Sequence, residues 1–194
     1  LSSSSAASDV YKRQILTHLN HPNFHWSVTP QQLAEVVEEQ FFEVYNGHPS
    51  INHLGDTDHP SDEAIWDMAN TLRMLAHDAP PLFGVATDDS HYYHGGNVSP
   101  GRGWVMVWAK ELDANQLIKS MERGEFYAST GVVLEEVRYD QGSRKHLIKI
   151  TPMEGVDFET QFIGTRRSTP DTSGEVFTTV SGPAAEYQLS GDEL

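Results

Sequence analysis

The alternation of short apolar runs with helical patterns up to residue 124, and its loss beyond, constrains this chain more than any other feature. Ile15 to Leu19 is a β-capable run that stops at Asn20-His21-Pro22, where Pro22 disfavours helix at His21 and removes a ladder donor. A helix is predicted next, with Thr29 as N-cap, Pro30 at its first position and Gln32 completing a capping box. Leu33, Val36 and Val37 form its apolar face. Phe41 to Tyr45 reads as a strand ending at Asn46-Gly47. Ser61 caps a second helix, with Asp62 and Glu63 in its first turn and a stripe of Ile65, Met68, Ala69, Leu72 and Leu75 at helical spacing. It must end before Pro80-Pro81. Leu82 to Ala86 is the next strand, ending at Thr87-Asp88-Asp89, and Trp104 to Trp108 is another. Asp113 and Gln116 cap a helix carrying Leu117, Ile118 and Met121, which Gly124 stops. Strand, helix, strand, helix, strand is the pattern of a parallel α/β layer.

Beyond Gly124 no helical pattern recurs. Val132 to Val137, His146 to Ile150, Thr160 to Ile163, Glu175 to Val180 and Tyr187 to Leu189 read as strands, with a hairpin loop at Asp140-Gln141-Gly142-Ser143. A domain boundary is placed near Thr130-Gly131, which leaves residues 131–194 as part of a β-sandwich. At the other end, Ser4 to Gln14 (SSAASDVYKRQ) reads as the translation of a sequencing adapter, so residues 1–14 are set aside from fold reasoning. Native sequence is then expected to begin near Ile15, inside a strand, and the chain to be a fragment without its true N-terminus.

Composition narrows the chemistry. A chain of 194 residues can bury a core without staples, and without cysteine it has no disulfide framework and no thiolate ligand. Any metal must be held by imidazole, carboxylate, amide or water. The formal charge of -15 argues against a nucleic-acid backbone as partner, and a bare anionic substrate is repelled unless cations or local arginines intervene. No apolar run is long enough for a transmembrane helix.

In parallel α/β folds the reactive groups gather at the C-terminal ends of strands. Three strands here end in residues suited to a site: Asn20-His21-Pro22, Tyr45-Asn46 and Asp89-Ser90-His91. Nine of the ten histidines fall between His18 and His94. With Asp89 and no cysteine, this donor set suits zinc, manganese or iron. If Asp89-Ser90-His91 is extended, its two ligands share a face; if it turns, they can serve different ions. Taken singly, a loop carboxylate at Asp89 that caps a turn, and a pre-proline turn histidine at His21, are equally good readings.

The segments LTHLNHPNFH (16–25), FFEVYNG (41–47) and GVATDDSHYYHG (84–95) together resemble the late motifs of the polymerase and histidinol phosphatase (PHP) family. The resemblance covers roughly residues 15–130. It implies the C-terminal part of a distorted (β/α)7 barrel with up to three divalent ions held by histidines and carboxylates. It also implies metal-activated water that hydrolyses a phosphorylated small molecule or nucleotide. His21-Pro22 matches the family's late single-histidine motif, and Asp89 with His91 its final Asp-x-His motif; each of the three would serve a different ion. The early His-x-His motif, the histidines after it and the bridging glutamate would lie upstream of Ile15. The fragment as written is therefore expected to bind metal weakly and to be inactive, with tight stoichiometric uptake as the contrary result. The segment RGEFYASTG (123–131) resembles the end of the catalytic domain in larger bacterial members, where a β domain follows.

Further candidates surround these. Arg102, in Pro100-Gly101-Arg102-Gly103, is either a bidentate phosphate contact or a solvated loop arginine. Asn46 either orients substrate or caps a turn; His25 and His94 are substrate or metal contacts, or rim residues. Glu43 is either inward and hydrogen-bonded or on the exposed face. His48, His53 and His59 read as loop residues, His18 as a packed strand histidine, and Trp66, Trp104 and Trp108 as core. Two other functions compete: an amidohydrolase-like metal enzyme, and a non-catalytic PHP-like scaffold or partner-binding domain.

Overall fold

The computed structural model describes residues 16–194. The adapter-like stretch and Ile15 lie outside the described residues. Among the described residues the fold is mixed α/β, with three α-helices and several small sheets. No closed barrel forms among the described residues.

The first sheet is parallel, as the strand–helix–strand pattern requires. Strand β1 (Phe41–Asn46) pairs with β2 (Phe83–Thr87) in parallel, and Leu19 adds one parallel bridge to Phe42 on the other side. That bridge is all that forms of the first expected strand among the described residues, and His18 is exposed rather than packed. Asn20-His21-Pro22 ends the pairing, because the chain turns at His21 (φ 25°) and enters a 3₁₀ turn at Phe24–Trp26.

Helix α1 (Pro30–Glu35) carries the full capping box: Thr29 Oγ1 accepts from the Gln32 N–H, and the Gln32 side chain accepts from the Thr29 N–H. The helix stops before Val36 and Val37, so these do not extend its apolar face and are exposed. Their carbonyls are instead claimed by Arg73. This fully buried guanidinium donates to Val36 O (2.8 Å), Val37 O (3.1 Å), Glu39 O (2.9 Å) and Pro80 O (2.8 Å). One side chain thereby satisfies carbonyls that the turn after α1 leaves open at Val37 and Glu39, and adds a second donor to Val36 O, which also accepts from the Glu39 N–H at 3.2 Å.

Helix α2 (Asp62–Ala76) starts at Ser61, whose Oγ accepts from the Ala64 N–H. Its buried apolar positions are Ile65 and Ala69, while Met68 and Leu75 of the predicted stripe are exposed. The helix packs Ile65 and Ala69 on Leu33, Phe42 and Leu82, the centre of the core. Each large side chain in that cluster contributes about 1.5–3 kcal/mol by leaving water. Trp66 donates from Nε1 to Leu82 O and packs at the edge of this cluster.

Strand β3 (Trp104–Val107) pairs antiparallel with β4 (Phe126–Ser129). The two are joined through helix α3 (Ala114–Glu122), which Asp113 caps by accepting from the Asn115 and Gln116 N–H groups. Gly124 ends it in the left-handed region (φ 72°), where an added Cβ would lie 2.5 Å from the Phe83 ring. Trp108 falls just past β3 and is exposed, so it is not a core residue.

The rest is antiparallel. Strands β5 (Leu134–Asp140), β6 (Lys145–Ile150) and β9 (Ala184–Gln188) form one sheet in the order β5-β6-β9. The Asp140 carboxylate accepts from Gly142 and Ser143 to shape the β5–β6 hairpin. Strands β7 (Glu159–Gly164) and β8 (Glu175–Ser181) form a two-stranded sheet. Phe162-Ile163-Gly164 is therefore not a central strand, because β8 is its single partner among the described residues. The two sheets meet where Phe162 and Phe177 stack on Tyr187, at 5.2 and 6.0 Å between ring centroids. Burial, then the bond from its hydroxyl to Glu193, pushes the Tyr187 phenol up to about 12. A buried contact between the Thr71 and Thr165 hydroxyls (2.8 Å) ties α2 to this region. No described helix is long and apolar enough to cross a membrane.

Candidate functional site

A single extra residue in β1 builds the site. In a regular strand, residues 43 and 46 would face opposite sides of the sheet. The β1–β2 register slips between Glu43 and Tyr45, making Val44 a bulge. The bulge restores Asn46 to the same face as Glu43. As a result Asn46 Nδ2 donates to Glu43 Oε2 at 3.0 Å. The same amide lies 3.2 Å from Asp89 Oδ2, at the end of β2, and Asn46 Oδ1 accepts from the His48 N–H at 2.8 Å. Glu43 also accepts from the His21 N–H (2.5 Å) and from the Thr87 hydroxyl. His21, Asn46 and Asp89, taken from three successive chain ends of the parallel layer, are thus linked through one buried carboxylate.

Two of these residues have backbone conformations that L side chains seldom adopt: His21 (φ 25°) and Asp89 (φ 47°). Such positions cost on the order of 1–3 kcal/mol unless their surroundings fix them, and they concentrate at functional sites. The segment after β2 therefore turns rather than staying extended. The turn still brings His91 Nε2 to 3.4 Å from Asp89 Oδ1. The His48 ring lies 4.8 Å from that of His91. The His48 Nδ1 accepts from the Ser50 N–H at 3.2 Å, which leaves Nε2 as the ring's donor in the neutral tautomer.

Arg102 approaches the same strand ends from the glycine-rich loop. Its Nη1 donates to Gly47 O at 2.7 Å, and its backbone N–H and that of Gly103 donate to Asp88 Oδ1 (2.5 and 2.9 Å). Although burial opposes it, this set of N–H donors holds the Asp88 carboxyl below its ordinary range. The approach needs glycine: a Cβ at Gly47 would sit 2.7 Å from the Arg102 Cβ, and one at Gly103 2.7 Å from Thr87 O.

Beneath the rim lies Asp62, fully buried at the start of α2, with neither carboxylate oxygen hydrogen-bonded. Burial, and then the charge of Glu43, pushes its carboxyl up to about 7; the nearby Asn23 N–H, short of a hydrogen bond, offsets this only in part. In sequence it reads as an ordinary first-turn acid. Nothing in a single sequence distinguishes a buried N-terminal helix acid from an exposed one.

The structure thus links the side chains of Asn46, Asp89 and His91 and brings Arg102 to the neighbouring Gly47, whereas His21 joins through its backbone N–H to Glu43 and turns its ring edge-on to Phe24 at 5.4 Å. It does not bring in His25, which sits in the 3₁₀ turn at φ 55° with its ring against Phe24, or His94, exposed in the loop after His91. Asn46 is fully buried and its amide is spent on Glu43, Asp89 and His48, so it braces the rim rather than facing a substrate. His59 is a loop residue, bonded to Asp56, whose ring stacks on Trp26 at 3.9 Å. Sequence reasoning left Glu43 undecided and passed over His48 and Asp62. A carboxylate in mid-strand, three residues before the strand's polar end, was the available signal for the first.

Asp89 and His91 have the chemistry of one edge of a divalent-metal site: a carboxylate oxygen and an imidazole nitrogen 3.4 Å apart. That is the spacing kept by two ligands on tetrahedral arms of about 2.1 Å. The set is not complete, because no group of three or more histidine or acidic side chains is assembled to hold an ion among the described residues. No protein-family model, curated protein or solved structure gives a match to the chain.

Proposed function

We propose that this chain carries one side of the active centre of a metal-dependent phosphoesterase of the PHP type. The barrel portion would be the Leu19–β1–β2 layer, and the β-rich region a partial sandwich beside it. The single observation that supports this most is the contact of Asp89 with His91 past the C-terminal end of β2, with Asp89 held through Asn46, and the His21 backbone held directly, by Glu43. Open α/β layers place reactive groups there. The donors are imidazole and carboxylate, which suits zinc, manganese or iron. Asp89 and His91 would supply two ligands, and the remaining donors would come from outside residues 16–194. The free N–H groups of Arg102 would face the phosphoryl oxygens, in a protein whose charge of -15 otherwise repels an anion. A bound divalent ion would supply charge neutralisation and an acidified water.

The test is hydrolysis of p-nitrophenyl phosphate and bis(p-nitrophenyl) phosphate by the full-length protein loaded with Zn²⁺ or Mn²⁺. The reading expects turnover of one of them, lost at least 100-fold in Asp89→Asn. No turnover of either, with metal bound, would favour a scaffold instead.

A further inference from the structure

Within that reading, we infer that Glu43 is the positioning residue of the site: its buried carboxylate fixes His21 directly and Asp89 through Asn46. Glu43 is 2 % exposed and Asn46 is fully buried. All three partners of Glu43 present donors to it: the His21 N–H and the Asn46 amide at Oε2, and the Thr87 hydroxyl at Oε1. An ionised carboxylate is an acceptor alone, so this is the surrounding it requires, and charge-assisted bonds of this kind are about twice as strong as neutral ones.

The geometry explains what these bonds accomplish. His21 has a left-handed backbone that no glycine relieves, and it is the Glu43 bond to its own N–H that holds it there. Asp89 is likewise left-handed, and the Asn46 amide that reaches its Oδ2 is the one Glu43 holds at the other end. The Val44 bulge exists in register terms to let residues 43 and 46 cooperate in this way. Glu43 touches neither substrate nor metal in this account; it acts by setting Asp89, which would, and the backbone turn at His21. Outer partners of this kind are worth roughly 10–100-fold in metal affinity.

The experiment compares the wild-type chain with Glu43→Gln by ¹H–¹⁵N correlation spectra, together with Zn²⁺ titration. A glutamine keeps the shape but removes the charge and turns an NH₂ toward other donors. The His21 amide proton should move upfield in the variant, with the Asp89 and His48 amides shifting next most, while the β5–β6 hairpin stays put. Zn²⁺ uptake by the rim should weaken by roughly 10–100-fold. A folded Glu43→Gln protein with an unmoved His21 amide would overturn the inference. Should that variant not fold, Thr87→Val removes one of the three donors and leaves the carboxylate in place. It should displace the His21 resonance in a smaller step, and no displacement there would equally overturn the inference. The two readings separate cleanly. The amide shifts without any Zn²⁺ uptake by the wild type would sustain the positioning role and count against the metal centre. Uptake equal in wild type and Glu43→Gln, with His21 unmoved, would count against the positioning role alone.

Discussion

Replacing Asp62 with asparagine should stabilise the protein at alkaline pH and leave it nearly unchanged in acid. Asp62 is fully buried, neither of its oxygens is hydrogen-bonded, and its carboxyl is pushed from 3.8 to about 7 by burial and by Glu43. Below about pH 4 the folded and unfolded chains both carry this proton, so the group contributes no pH dependence there. Between 3.8 and about 7 the folded state keeps a proton that the unfolded state has released. Stability therefore falls as pH rises through that window, by up to about 1.4 kcal/mol per unit. The full span sets a ceiling of about 4 kcal/mol. Relaxation toward the Asn23 N–H and sharing of charge with Glu43 bring the working figure to about 2 kcal/mol. Asparagine fills the same space without a charge, so that loss disappears. Thermal unfolding should show Asp62→Asn and wild type within error of each other near pH 4. Near pH 8 the variant should melt about 4–8 °C higher. The carboxyl of Asp67, pushed up to about 6 by burial and Glu63, adds the same trend to both proteins and cancels in the difference. A variant no more stable than wild type near pH 8, or one stabilised equally at both pH values, would refute the reasoning.

Three further outcomes follow from the packing. Arg73→Met should destabilise by about 3–5 kcal/mol in urea unfolding, since it removes a buried guanidinium that donates to four carbonyls and is the donor to those of Val37, Glu39 and Pro80. Gly124→Ala should lose about 2–3 kcal/mol by the same assay, because its Cβ would meet Phe83 at 2.5 Å in a left-handed backbone. Thr29→Ala should cost about 1 kcal/mol by removing the α1 cap, read as an equal loss in Thr29→Val if the hydroxyl is responsible.

Local chemistry made much of this fold legible in the sequence. Thr29, Pro30 and Gln32 announce the start of α1, Ser61 that of α2, and Asp113 that of α3, because capping involves residues three apart or fewer. The strands β1 and β2 were visible as apolar runs ended by polar residues. What the sequence could not show depends on distant partners. Val36 and Val37 continue a helical pattern, yet the chain leaves the helix and gives their carbonyls to Arg73, 37 and 36 residues away respectively. Among the described residues the first strand forms one bridge, at Leu19. In the site, His21, Asp89 and His91 stood out by residue type and position at strand ends. Asn46 was visible and its turn-capping reading holds in the bond from the His48 N–H, but its pairing with Glu43 was not legible, because a bulge reverses strand parity without any glycine or proline to mark it. His25 and His94 shared the histidine-rich stretch with the rim and not its geometry.

The most direct measurement is Mn²⁺ titration of the ¹⁵N-labelled chain, with paramagnetic broadening read residue by residue. The account predicts that the first amide signals to vanish are those around His21, Asn46, Asp89 and His91. Broadening spread over the acidic surface, with these four positions no more affected than the β5–β6 hairpin, would contradict it.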